Sequence, residues 1–310
     1  MKQLWRSYAA AATAAATWGS LSVVGRTLLA GSDGAGASPM TVSMFRTAAA
    51  ALVMVGFVLL TGGGPGMCRA LREEWRGLCL LGFVGIVMEG TLQLWSLQYT
   101  TAARCSIFAN TAPIHTVIIA RLALREKCPP KRWFGVALGL AGIVLIAASS
   151  GHDFYGSGTM LFGDLLALGS GICWGAYTVF AVGVTRRHGA LVSSALAAAA
   201  AALILIPFGA PGVPAAVANL TPRGWLGILW LGVVATGIAN LCWFSALRRL
   251  PAGALGAFNY AGVALTVIFA ACFLREKLEP RAWIAIALIV GSIVLMAAPR
   301  AEKKGGETAQ

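Results

Sequence analysis

Glu89 is the residue of this sequence whose type and position most need a chemical explanation. It stands inside the apolar stretch "LGFVGIVMEGTLQLW" (81–95), and Gln93 and Ser96 follow four and seven residues later, on the same face of a helix. Within a membrane an ionisable group costs about 3 kcal/mol on insertion scales, so it is kept where a partner or a water-filled cavity receives it. Glu89 is therefore a candidate for substrate binding and proton transfer. The alternative is an ion pair with Arg or His that only joins helices.

His115 is a second candidate proton carrier, because the ordinary pKa of histidine, about 6.5, allows proton exchange near neutral pH. A buried histidine that hydrogen-bonds a carbonyl group is the alternative. Asn110 precedes it, and Pro113 lies between the two. Proline removes a backbone donor, so we expect a helix interrupted here, with freed carbonyl groups at the depth of a bound substrate.

Further polar and aromatic side chains recur at similar depth. Thr236 and Asn240 form an i, i+4 pair, and Trp18 and Trp174 lie far from the ends of their apolar stretches. Hydrogen bonding between helices and buried aromatic packing are the alternatives to a cavity wall. The predicted cavity residues are Trp18, Glu89, Gln93, Asn110, His115, Trp174, Tyr177, Asn240, Asn259 and Tyr260.

Four charged residues lie toward one end of their apolar stretches: Arg26, Arg46, Arg104 and Asp164. Buried arginine usually binds a carboxylate with both arms of its guanidinium group, which favours ion pairs that hold an outer gate. Contact with a carboxylate of the substrate is the alternative.

The composition shows what must position these residues. With 58% hydrophobic and only 11% charged residues, and a mean hydropathy of +0.78, the chain has too little polar surface for a soluble protein of 310 residues. The sequence predicts an all-α integral membrane protein, because its apolar stretches suffice to cross a hydrocarbon core of about 30 Å. We predict ten spans, at 8–29, 40–61, 75–97, 101–123, 132–149, 160–182, 190–209, 224–247, 252–274 and 281–298.

The net charge of +13 is distributed unevenly between the predicted loops. Most Lys and Arg residues fall on the side of the N-terminus, which by the positive-inside rule places both termini in the cytoplasm of a bacterial inner membrane. The basic charge thus reflects topology, and no nucleic-acid partner is expected. Residues 301–310 read as a disordered cytoplasmic tail.

A repeated motif divides the chain. "ALREKCPPKRW" (123–133) returns as "FLREKLEPRAW" (273–283), 150 positions later, with many identities on either side. Each half, 1–150 and 151–300, holds five predicted spans. Because five is odd, the second half must enter the membrane inverted. Inverted repeats are typical of secondary transporters, whose substrate site lies near the midplane between the repeats.

The halves carry the motifs "TWG" (17–19), "CWG" (173–175), "MFR" (44–46) and "LREK" (124–127 and 274–277). In these the chain resembles the EamA-type transporters of the drug/metabolite transporter superfamily, over essentially its whole length. The resemblance implies that spans 1, 3, 4, 6, 8 and 9 surround the cavity, and that spans 5 and 10 pack together at the periphery. The halves have diverged, since Val263 stands opposite Pro113 and no arginine matches Arg46.

Spans 5 and 10 also carry small residues one helical turn apart, Gly135 with Gly139 and Ala287 with Gly291, a spacing that lets helices approach closely. The seven cysteines form no CxxC pair, and no Gly-rich Lys motif for ATP occurs. We expect neither a metal site nor a cofactor.

The sequence thus predicts a secondary active transporter that exports a small polar or zwitterionic metabolite, such as an amino acid, with Glu89 and His115 as candidates for proton coupling. A passive facilitator or channel, and an uptake carrier for a vitamin or an amine, fit the same architecture. A membrane enzyme is disfavoured, because Glu89 with His115 is too small a catalytic set. The sequence does not fix the oligomeric state, and a monomer fits it.

Overall fold

Ten helical rods follow one another along the residues that the computed structural model describes, which are 2–30, 38–100, 102–149, 158–274 and 280–297. The first five are α1 (Lys2–Ala30), α2 (Pro39–Leu60), α3 (Gly64–Gly82, a π-helical segment Phe83–Met88, then Glu89–Tyr99), α4 (Ala102–Ala109 and Ala112–Ala123) and α5 (Pro130–Ser149). The other five are α6 (Gly158–His188), α7 (Ala190–Gly209), α8 (Pro222–Leu229, a π-helical segment Trp230–Ile238, then Ala239–Leu247), α9 (Ala252–Leu255 and Phe258–Leu274) and α10 (Pro280–Ala297). A 3-10 turn, Ala210–Gly212, and a short helix, Val213–Asn219, connect α7 to α8.

This is the predicted ten-helix architecture. By length and hydropathy alone, six of the described stretches are sufficient to cross a membrane, and shorter apolar helices accompany them. One start was predicted wrongly: α1 begins at Lys2 and not near residue 8. α3 begins at Gly64, but Glu74, with φ of −132° and ψ of 16°, interrupts the helix just before residue 75, where the span was predicted to start. Its first turns are amphipathic, "GPGMCRALREEW", so an apolar window misses them.

Helix starts and turns follow local chemistry. Ser38 caps α2 by accepting a hydrogen bond from the N–H of Thr41 at 3.2 Å, and Thr221 caps α8 by accepting one from Gly224 at 3.2 Å. A proline follows each cap, where its fixed φ suits the first helical position. The tight turn after α6 uses Gly189, whose φ of 84° is open to glycine at little cost.

The helix contacts repeat under exchange of the two halves. α2 packs on α7 and α5 packs on α10, and each of these pairs is unchanged when α1–α5 are exchanged for α6–α10. The contact of α1 with α9 has its counterpart in α6 with α4, and that of α1 with α8 in α6 with α3. Each half therefore completes the other, as expected for two inverted five-helix repeats.

Three of the four predicted small residues, Gly135, Gly139 and Gly291, lie at the contact between α5 and α10, whereas Ala287 is exposed. A Cβ atom added at Gly135 would lie 2.6 Å from Cγ of Met296, and one added at Gly291 would lie 3.2 Å from Cδ2 of Leu138. These two helices line no part of the cavity described below, so the expectation that they lie at the periphery is met within the described residues.

The ends of the rods define two faces. We call the face at which α1, α3, α5, α7 and α9 begin the N-terminal face, and the other the opposite face. A buried apolar cluster that includes Leu78, Tyr177, Phe244, Leu247 and Leu255 fills the half of the molecule next to the N-terminal face. The cavity lies in the remaining half.

Candidate functional site

A cavity of about 360 Å³ lies between the two repeats. Its wall extends from Pro39, the first residue of α2 at the opposite face, to Trp18 and Trp174 near the middle of α1 and α6. Helices α1, α3, α4, α6, α8 and α9 contribute to it, as expected, and so does α2, which was not predicted to do so. A volume of this size suits a small metabolite.

Seven of the ten predicted cavity residues line this space. The cavity brings together Trp18, Glu89, Gln93, Asn110, Trp174, Asn240 and Asn259. Arg46, predicted as part of an outer gate or as a carboxylate contact, also lies in this wall, on the α2 side. Glu89 and Gln93 of the polar stripe on α3 thus face the cavity, where Thr236 and Asn240 of α8 meet them, whereas Ser96 is buried outside its wall.

Glu89 and Arg46 form the charged part of the cavity. Each is only partly exposed, and each lies within the electrostatic reach of the other. The Nε atom of Arg46 is buried and has no hydrogen-bond partner, while Nη2 passes close to Gly90, where an added Cβ would lie 3.8 Å away. The cavity therefore holds one acid and one base with bonding capacity left over.

Two further donors in the wall are also unpartnered, the indole N–H of Trp174 and the amide nitrogen of Asn259. The amide of Asn240 differs, because its oxygen accepts from the Tyr177 hydroxyl at 3.1 Å and its nitrogen donates to the Thr236 carbonyl at 2.9 Å. Buried donors without partners are rare in folded proteins, and a bound ligand that offers acceptors would satisfy them.

The cavity ends at a cluster of aromatic rings. Trp18 lies 5.0 Å, centroid to centroid, from both Trp174 and Trp243, and Tyr177 lies 5.4 Å from Trp174 and 5.6 Å from Phe244. Such edge and tilted arrangements of rings are favourable. Because Tyr177, Trp243 and Phe244 are almost fully buried, this floor separates the cavity from the N-terminal face.

Three predicted cavity residues lie elsewhere. Tyr177 belongs to the floor, and Tyr260 is fully buried against α5, where its hydroxyl donates to the Val136 carbonyl at 3.4 Å. Nε2 of His115 lies 3.2 Å from the Thr111 hydroxyl, on the second segment of α4. The expected interruption of α4 is present at Asn110 and Thr111, but it turns His115 away from the cavity wall.

Of the other predicted gate residues, Arg104 binds both carboxylate oxygens of Asp164, and Thr100 donates to the same carboxylate at 2.8 Å. This contact joins α4 to α6 near the opposite face and lines no part of the cavity. Arg26 lies on α1, but the structure does not describe its side chain. Residues 275–279, which include most of the second "LREK" motif, and the tail 301–310 also lie outside the described residues.

Several residues of the site escaped sequence reasoning. Ser43 and Ser170 line the cavity, and Trp243 and Phe244 complete the floor. Small hydroxyl residues in apolar helices carry no distinctive spacing. The pair "WF" at 243–244 lies one helical turn after Asn240, on the side of the N-terminal face, which is the signal that could have placed it beneath the cavity.

Ten membrane helices in two inverted repeats, with a polar cavity between them that ends at a closed floor, define a membrane transporter. The chain belongs to the EamA-like transporter family, whose model matches residues 5–148 and 161–298. It is similar to the uncharacterized transporter YetK of Bacillus subtilis, with 26% identity over 94% of this chain and 87% of that one. A probable terminal-alkyne amino-acid exporter of Streptantibioticus cattleyicolor is 23% identical over 86% of each chain. A solved crystal structure has the same fold, with a TM-score of 0.76, 21% identity, and coverage of 93% of this chain and 95% of that one.

Proposed function

We propose that the protein exports a small zwitterionic metabolite, of the amino-acid type, across a bacterial inner membrane by proton antiport and alternating access. The N-terminal face is then cytoplasmic, with both termini on that side. The halves 1–150 and 151–300 are the units that move against each other, and 301–310 form the cytoplasmic tail.

The observation that carries this proposal is that Glu89 and Arg46, within electrostatic reach of each other, line one cavity that also holds unpartnered donors. A carboxylate satisfies a guanidinium group and neutral N–H donors, and an ammonium group satisfies Glu89. A zwitterion supplies both groups and leaves the net charge of the cavity unchanged. The printed description of the Streptantibioticus relative supports the amino-acid class and the outward direction.

Antiport follows if Glu89 binds either a proton or the ammonium group, but not both. On the external side, a proton taken up by Glu89 displaces the ammonium group and favours release of the substrate. The protonated carrier then turns to the cytoplasm, where the proton leaves and the substrate takes its place. The inward proton gradient thereby drives export.

The test is counterflow in proteoliposomes with an imposed pH gradient. Glu89→Gln keeps the size of the side chain but removes its charge, so we expect pH-driven transport to fall to background while the protein stays folded. Glu73→Gln is the matched control, because that carboxylate lies on α3 outside the cavity and is 56% exposed. Unchanged pH-driven transport by Glu89→Gln would refute the antiport mechanism.

Two measurements separate the alternatives. A carrier saturates and shows countertransport, whereas a passive channel does neither. The substrate class is tested by thermal unfolding with a panel of amino acids, amines, nucleosides and vitamins, since a ligand at 100 times its Kd stabilises the native state by about 2.7 kcal/mol. Stabilisation by amines or vitamins without a carboxylate, and not by amino acids, would contradict a zwitterion site.

A further inference from the structure

Glu126, from the first "LREK" segment, joins the two repeats at the N-terminal face. One carboxylate oxygen accepts a hydrogen bond from the backbone N–H of Ala252 at 3.0 Å, and the other accepts from the N–H of Gly253 at 3.4 Å. These N–H groups belong to the first turn of α9, where no helical carbonyl is available to them. Arg132, near the start of α5, lies 3.8 Å from the same carboxylate. The contact thus ties the α4–α5 connection of the first repeat to a cavity helix of the second.

The end of α4 aims this carboxylate. Leu124 donates to the Ala120 carbonyl at 3.0 Å, and the N–H of Glu126 donates to the same carbonyl at 3.2 Å, so the chain folds back over the end of the helix. Arg125 between them has a φ of 51°, in the left-handed region where glycine is the usual residue. A strained backbone therefore precedes the residue that reaches across to α9, and strain of this kind concentrates at functional positions.

Gly253 allows the close approach. A Cβ atom added there would lie 3.3 Å from Nη1 of Arg132, 3.3 Å from Cγ2 of Val117 and 3.6 Å from the Glu126 carboxylate. A methyl group added there would make contacts tight enough that Arg132 or Val117 must shift. The first turn of α9 is thus fitted to these three partners.

Two other acids of the first repeat also contact the second at this face. Glu74 lies 2.5 Å from Arg187, and Glu73 lies 3.7 Å from His188. However, Arg187 is 57% exposed and Glu73 is 56% exposed, and water screens such pairs strongly. Glu126 and Arg132 are only 18% and 13% exposed, so the hydrogen bonds of this carboxylate to backbone are the stronger connection.

We propose that Glu126 is the latch that keeps the cavity closed toward the N-terminal face, and that its release from α9 is a step of opening to that face. Phe258 and Asn259 begin the second segment of α9, five and six residues after Gly253, the first in the buried cluster beneath the cavity and the second in the cavity wall. Release of the first turn of α9 therefore frees both the floor and the site. The inference rests on the alternating access proposed above, but not on the identity of the substrate or on proton coupling.

The test measures how fast a thiol in the cavity is labelled from each side of the membrane. Ser170→Cys serves as the reporter in the full chain with its native cysteines replaced, since Ser170 lines the cavity and cysteine is nearly the same size. An impermeant maleimide is applied to vesicles of both orientations. Glu126→Gln should raise labelling from the N-terminal face about tenfold, a shift of about 1.4 kcal/mol. Glu73→Gln, the exposed control, should change it less than about twofold.

A second variant tests the latch in the other direction. Arg125→Gly relieves the left-handed strain and keeps Glu126, so labelling from the N-terminal face should fall below that of the parent, whether or not Glu126→Gln folds. Unchanged labelling in folded Glu126→Gln, or increased labelling in Arg125→Gly, would overturn the proposal. Labelling needs neither substrate nor a gradient. A negative counterflow assay would therefore refute the proposed transport without deciding whether Glu126 acts as the latch.

Discussion

At the residue scale, Arg46 and Glu89 bring two groups that are costly in a membrane into the wall of one cavity. Either charge alone in a membrane span costs about 3 kcal/mol on insertion scales, and each reduces the cost of the other here. They do not use up their bonding capacity on one another, because Nε of Arg46 is left without a partner. In the proposed function, the substrate satisfies this remaining bonding capacity.

The geometry of the guanidinium group gives a prediction for Arg46. Arg46→Lys keeps the positive charge but replaces a planar fork by a point charge, so two-point contact with a carboxylate is lost. We expect the KM for a zwitterionic substrate to rise about tenfold, or about 1.4 kcal/mol, with little change in thermal stability. The measurement is initial-rate transport in liposomes. Arg223→Lys, at the exposed start of α8, is the matched control and should leave KM unchanged. An equal KM for Arg46→Lys and the parent would exclude Arg46 as the carboxylate contact.

At the element scale, both π-helical segments lead directly into site residues. Phe83–Met88 is followed directly by Glu89, and Trp230–Ile238 ends two residues before Asn240. A π-helical turn leaves a gap in the ordinary hydrogen-bond ladder, and Thr236 fills one such gap by donating to the Leu231 carbonyl at 2.8 Å. These segments, at related places in the two repeats, set the direction in which Glu89 and Asn240 point.

The close approach of α3 to α6 can be tested at Gly85, within the first π-helical segment. A Cβ atom at Gly85 would collide with the ring of Tyr177, which donates to Asn240 and so connects α6 to α8. We expect Gly85→Ala to destabilise the protein by about 1–3 kcal/mol through overpacking, seen as a lower Tm in detergent. Gly56→Ala on α2 is the control, since an added methyl group meets nothing within 4 Å there. Equal unfolding temperatures of the two variants would contradict the close contact between Gly85 and Tyr177.

The sequence predicted the elements better than the distortions within them. Apolar length alone located ten rods, and Pro113 marked the interruption of α4. The π-helical segments carry no local pattern, because they arise where Gly85 meets Tyr177 and where Thr236 bonds back to its own helix. The same reason explains the misplacement of His115 and Tyr260: depth along a span can be counted from sequence, whereas the rotation of each segment depends on its neighbours.

At the scale of the whole molecule, the acids of the described chain lie mainly at the boundary between the repeats. Glu73, Glu74 and Glu126 contact the second repeat at the N-terminal face, and Asp164 contacts the first repeat near the opposite face. In so apolar a chain, these few polar contacts between the repeats mark the N-terminal face and the opposite face of a nearly symmetric structure.

The repeated "LREK" segments provide the test of this symmetry. Lys127 is exposed at the N-terminal face, and Lys277, its repeat mate, lies outside the described residues. An inverted second repeat must place the two on opposite sides of the membrane, although Arg275, Lys277 and Arg281 then oppose the positive-inside bias. We expect Lys127→Cys to be labelled by an impermeant thiol reagent only after the cytoplasmic side is exposed, and Lys277→Cys to be labelled in intact cells. Both variants are made in a background without native cysteines, and that background is the control. Labelling of both positions from one side would refute the inverted repeat, whereas labelling of Lys127→Cys alone in intact cells would keep the repeat and reverse its orientation.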